Sequence, residues 1–141
     1  MKSMIQENEI ISVLDFERIM RCIVTAEKEY ADQIVNLKQL KKRVLAAQKV
    51  QVDEIPPDII TMGSVIEIKT DDDNFTFKLE LVYPEFENVR ENKISVFSNL
   101  GSAIFLRKSN DVITYQAWGK EHRIKVLSIH YQPETVGDFN I

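Results

Sequence analysis

Three adjacent aspartates, Asp71-Asp72-Asp73, form the densest group of metal-ligating side chains in the chain. Hard cations take oxygen ligands, but an EF-hand loop needs them spaced, with a central glycine and a terminal glutamate. Neither is in register, so Thr70-Asp71-Asp72-Asp73-Asn74 reads as the polar turn of a hairpin. His122 falls in a turn and His130 in a strand, and neither has a motif partner for acid–base or nucleophilic work. Cys22, the single cysteine, lies in an apolar helical stripe without a ligand cluster and reads as a packed thiol. Ser95, Ser98, Ser102 and Ser109 read as capping or strand residues. The sequence holds no glycine-rich phosphate loop, no HExxH and no G-x-S-x-G. These residues assign no catalytic site, metal or cofactor, and the expectation is a binding or regulatory protein rather than an enzyme.

The elements that carry these residues centre on Ile94–Asp111. Ile94, Val96 and Phe97 form a short β run, Ser98-Asn99 a polar corner suited to capping, and Ala103, Ile104, Phe105 and Leu106 a compact apolar turn of helix. Ser109-Asn110-Asp111 breaks that helix and leads into another strand. So short a helix needs a sheet beneath it. Alternation marks strands at Val65–Lys69, Phe75–Leu81, Val112–Trp118 and Arg123–Tyr131, the last with a phase shift after Val126 that a bulge would produce. Pro84 closes the second of these strands.

Upstream, Ser12-Val13-Leu14-Asp15 resembles a capping box. Helical spacing follows in Phe16, Ile19, Met20, Ile23, Val24 and Ala26, and again in Ile34, Leu37, Leu40, Val44 and Ala47. One long helix is an alternative, but two antiparallel helices of about 16–18 residues, roughly 25 Å long, bury both stripes on each other. Lys38, Lys41, Lys42, Arg43 and Lys49 give the second helix a basic flank, either a solvated face or a surface for an acidic partner. Asp53-Glu54-Ile55-Pro56-Pro57 ends the helical region, since proline breaks helices and restricts the residue before it.

The expected fold class is therefore α+β. Residues 1–11 are a flexible tail, 12–52 an antiparallel helical hairpin forming a short coiled coil, 53–57 a linker, and 58–141 a mainly antiparallel sheet domain with one short helix. Residues 1–52 carry a net charge of +2 and residues 53–141 a net −6. An acidic main domain argues against a direct, sequence-specific nucleic-acid ligand. No apolar run approaches the roughly 20 residues of a membrane span. Nor does the N-terminus have the apolar core of a signal peptide, so a cytoplasmic protein without membrane association is expected.

Several short motifs occur in one order: Glu54-Ile55-Pro56-Pro57-Asp58-Ile59-Ile60-Thr61-Met62-Gly63-Ser64, Leu81-Val82-Tyr83-Pro84, Ile94-Ser95-Val96, Gly101-Ser102-Ala103 and Tyr131-Gln132-Pro133-Glu134-Thr135-Val136-Gly137-Asp138-Phe139. With the helical hairpin before them, they resemble the Gre-type transcription elongation factors, and within that family the short-armed Rnk-type members. The resemblance implies an FKBP-like fold for residues 58–141. It also implies binding to bacterial RNA polymerase, with the C-terminal domain docked at the rim of the secondary channel and the arm directed inward.

By position in the family motif, Ser98, Asn99, Leu100, Gly101 and Ser102 are the implied polymerase-binding residues. Capping of the short helix is the plainer role for Ser98 or Asn99 alone. Long-armed family members carry acids at the hairpin tip that help hold a metal at the polymerase active site and stimulate transcript cleavage. Glu27, Glu29 and Asp32 occupy the tip here, and a solvated helix end is their plainer reading. An arm of about forty residues resembles the short type, which does not reach that site. Asn99 replaces the family's proline, Asn110 its glycine, and Ala117-Trp118-Gly119-Lys120 its Pro-Gly turn. A third reading is a peptide-binding or prolyl-isomerase domain, with Phe75, Phe77, Tyr115 and Trp118 lining an aromatic pocket.

Overall fold

The computed structural model describes residues 9–29, 34, 36–71 and 74–138. A strand, β1 (Ile10–Ser12), enters helix α1 (Val13–Glu29), which is followed by α2 (Leu37–Ala46) and β2 (Gln48–Val50). After the linker come β3 (Val65–Thr70), β4 (Thr76–Val82), β5 (Lys93–Ser95), α3 (Asn99–Ile104), β6 (Val112–Ala117), β7 (Lys120–Tyr131) and α4 (Pro133–Val136). The expected α+β class holds, with a helical pair ahead of a mainly antiparallel sheet.

Ser12 starts α1 as expected, its Oγ accepting the Asp15 N–H at 3.0 Å. The Asp15 carboxylate does not complete a capping box. It turns into the sheet domain and accepts from the Met62 N–H and the Tyr83 hydroxyl, each at 3.3 Å. Helix α1 has 17 residues, about 25 Å of rise. At ten residues α2 is shorter than the 16–18 expected. Its chain leaves the helix at Ala47, which is extended, and Gln48–Val50 pairs in parallel with Ile10–Ser12. That pairing buries Ile11 completely, so Ile10 and Ile11 belong to the packed chain and not to a tail. Residues 1–8 lie outside the described residues.

The five-stranded sheet has the order β5-β4-β3-β7-β6, with only β4 and β5 parallel. The phase shift expected after Val126 is present: Ile68 pairs with Val126 and Glu67 with Ser128, which leaves Leu127 bulged. A second shift leaves His130 outside the ladder. Helix α3 is six residues long, about 9 Å, yet it touches both edge strands, β5 and β6. In a flat sheet those strands would stand about 19 Å apart. The sheet is therefore curled around the helix.

Ile19, Ile23 and Ala26 of α1 and Leu37, Leu40 and Val44 of α2 join Ile60, Ile66, Leu79, Leu81 and Phe105 in one continuous core. The arm is thus packed against the sheet domain at its base. The C-terminal segment folds back as well: Gln132 Nε2 donates to the carbonyls of Pro56 (2.8 Å) and Ile59 (2.7 Å), and Thr61 Oγ1 donates to Glu134 (2.7 Å).

Candidate functional site

The corner between β5 and α3 is built by reciprocal capping. Ser98 Oγ accepts the Gly101 N–H at 2.9 Å and donates to the Ser95 carbonyl at 2.7 Å. A Cβ on Gly101 would lie 1.9 Å from that carbonyl oxygen, so only glycine allows α3 this close to β5. Gly101 and Ser102 are buried, while Ser98, Asn99 and Leu100 are half-buried and form the accessible part of the corner. Of the five expected docking residues, two therefore face inward and seat the helix. Past Ile104 the chain turns through Leu106 at φ 70°, with the Leu106 N–H donating to Ile60 O at 2.9 Å.

The arm is fastened to this corner. Asn36 Nδ2 donates to Ser98 O at 3.2 Å. Arg43 donates to the carbonyls of Ser102 (2.6 Å) and Phe105, and forks onto Glu9 through Nε (3.1 Å) and Nη2 (2.9 Å). Arg107 Nε donates to Ala103 O at 3.1 Å, and its Nη1 lies 3.8 Å from Glu9. Burial and the neighbouring Arg43 charge push the Arg107 guanidinium below its ordinary value, with Glu9 opposing them. Between α2 and β6 these side chains border a groove of about 910 Å³.

A second node ties α1 to the sheet domain. Burial, then the Glu134 charge, raise Asp15 to about 7 against the two donated hydrogen bonds and the Arg18 charge. Burial first, and Asp15 next, push Tyr83 up as well.

At the arm tip, Glu27 pairs with Lys41 at 2.9 Å and so links α1 to α2. Glu29 is exposed at the end of α1, and Asp32 lies outside the described residues. No group of three His, Cys, Asp or Glu side chains able to hold a metal occurs among the described residues. Asp71 faces Arg123 at 4.0 Å, while Asp72 and Asp73 lie outside the described residues.

The aromatic side chains do not assemble into one pocket. Phe75 and Phe77 stack on each other at 5.7 Å on β4 and the turn before it. Tyr115 and Trp118 both contact His122 on the β6–β7 hairpin, across two intervening strands. His130 Nε2 meets both Ser128 Oγ (3.2 Å) and Glu67 Oε1 (3.0 Å). A hydrolytic triad needs the serine and the carboxylate on opposite ring nitrogens, so this trio is not one. Burial, then Glu85, push the Cys22 thiol up, away from nucleophilic character.

Sequence reasoning missed Glu9, Asp15, Arg107 and Tyr83 as site residues, and read Arg43 only as one member of a basic flank, either solvated or facing an acidic partner. Asp15 carried a signal, since it stands four residues before Ile19 on the buried stripe. The partners of Arg43 are 34 to 62 residues away, beyond any local pattern.

The family model for the C-terminal part of the GreA/GreB transcription elongation factors matches residues 55–131. The regulator of nucleoside diphosphate kinase of Escherichia coli is 30% identical over 131 residues, 92% of this chain and 94% of that protein. Transcription elongation factor GreA of Clostridium kluyveri is 30% identical over 105 residues, 74% of this chain and 66% of its own length. Among solved structures, a GreA/GreB factor from Nitrosomonas europaea is 27% identical, with a TM-score of 0.74 over 89% of this chain and all of the other.

Proposed function

The chain belongs to the GreA/GreB family of transcription elongation factors, and from that premise we propose that it is a transcription regulator that binds bacterial RNA polymerase through its C-terminal domain. Docking falls to the β5–α3 corner, where Ser98, Asn99 and Leu100 present an accessible edge on a rigid frame. The observation that carries this reading is the fixed geometry of that corner at the position of the family motif. Recognition loops held by a rigid scaffold suit binding without rearrangement.

The arm acts as a short spacer and not as a cleavage-stimulating probe. Support comes from the ten-residue α2, from a core that holds the arm against the domain, and from Glu27, whose carboxylate is engaged by Lys41. Capture of core RNA polymerase by the purified chain, with a long-armed family member as competitor, tests the reading. Binding lost to the competitor, and lost again in Asn99→Lys, is the expected result. Absence of binding, or binding indifferent to both, overturns it. Stalled elongation complexes should show no added transcript cleavage when the protein is present.

A further inference from the structure

Strand β6 forms one edge of the sheet, and its hydrogen-bonding parity can be read from both ends. The two-residue turn makes Ala117 and Lys120 a bonded pair. At the other end, Asn110 N–H donates to Val126 O (2.8 Å) and Val126 N–H to Asp111 O (2.9 Å). Bonded positions therefore recur at Ile113, Tyr115 and Ala117. The backbone N–H and C=O groups of Val112, Thr114 and Gln116 point away from β7. No further strand takes them up among the described residues.

Thr114, Tyr115 and Gln116 all line the groove opposite α2. Successive strand residues face opposite sides of a sheet, so a cavity touching all three runs along the strand's edge. Its charged lining is Lys42, Arg43, Arg107 and Lys108 against Glu9 and Asp111, a surplus of two positive charges shared between the basic arm and the acidic segment that carries the sheet. Lys42 is exposed and makes no ion pair among the described residues.

We propose that this groove binds an extended acidic peptide segment of a partner protein, which adds to the sheet as a strand against β6. Its backbone pairs with Val112, Thr114 and Gln116, and its carboxylates face Lys42 and Arg107. The six residues of β6 offer about 20 Å of edge, enough for a short strand. A second copy of this chain would bring the same positive surplus to the groove and is disfavoured. The groove borders the docking corner at Asn99, but the inference does not depend on polymerase binding, and its test contains no polymerase.

The test titrates the full chain into a fluorescein-labelled alternating Glu–Val peptide, with an alternating Lys–Val peptide and oligothymidylate as controls. The expected result is saturable one-to-one anisotropy with the acidic peptide alone, and slowed amide exchange at Thr114 and Gln116. Lys42→Glu should weaken binding about ten-fold or more. Thr114→Pro removes an outward N–H without breaking a ladder bond, as an edge strand tolerates, and should weaken it similarly. If Thr114→Pro fails to fold, Lys42→Glu and the exchange data decide. No binding, equal binding by either control, binding without protection of the two amides, or binding through self-association would each overturn the proposal.

Discussion

Gly101 is the residue on which the corner depends. With the Ser95 carbonyl 1.9 Å from where a Cβ would lie, Gly101→Ala must push α3 away from β5. We expect a loss of roughly 3 kcal/mol or more in urea unfolding, in the range of other severe backbone clashes. Asn99 should behave oppositely. It occupies the first helical position, and Ser98 before it is already extended at φ −70°, ψ 162°. Both conditions suit proline, so Asn99→Pro should stabilise by about 0.5–1 kcal/mol, visible as a higher Tm. Asp15 gives a pH signature. Its folded-state value is raised to about 7, above that of an unfolded carboxyl, so the native state holds the proton more tightly. Its contribution is full below about pH 4 and is lost as pH rises through 7, at up to about 1.4 kcal/mol per pH unit. Asp15→Asn should match the parent at low pH and exceed it in stability at pH 8.

For the elements, the decisive contact is Arg43 on the end of α3. Its fork satisfies two carbonyls at the helix C-terminus while pairing with Glu9. Lysine has the charge but not the planar fork. Arg43→Lys should cost about 1.5–3 kcal/mol and raise hydrogen exchange in α2 before it does so in β3. Four strands of the main sheet, β3, β4, β6 and β7, were legible because each runs over six or more residues with alternating character, and the bulge at Leu127 showed as a break in that alternation. Helix α3 was legible from its Ser98 cap, but it ends at Ile104, so Phe105 and Leu106 of the expected apolar turn lie past it, where the chain leaves the helix and turns through Leu106 at φ 70°. The β1–β2 pair was not, because each strand has three residues and the partners lie 38 apart in the chain. Of the site, the Ser98 cap was readable as a local motif. The groove was not, because a helix and a sheet edge brought together by the fold create it.

At the scale of the molecule, one core runs from the arm through the sheet. Helix loss followed by far-UV circular dichroism and sheet loss followed by backbone infrared absorption should therefore coincide in a single unfolding transition. Two separated transitions would show the arm and the sheet melting independently. Trp118, the only tryptophan, is 90% exposed at a hairpin tip, so its emission should already be that of a hydrated indole and shift little on unfolding.

The parallel pairing of β1 with β2 has a consequence for how such proteins diversify. Chain entry to the arm and exit from it are stitched side by side, so everything beyond the stitch is a closed appendage on a fixed hinge plate. Equal insertions into α1 and α2 would lengthen the appendage while leaving the plate unchanged, with seven residues in each adding about 10 Å of reach. Arm length then becomes a module that can be exchanged between relatives. A graft of longer helices beyond Val13 and before Ala46 would be a way to ask how far the arm must extend before its tip acquires an activity of its own.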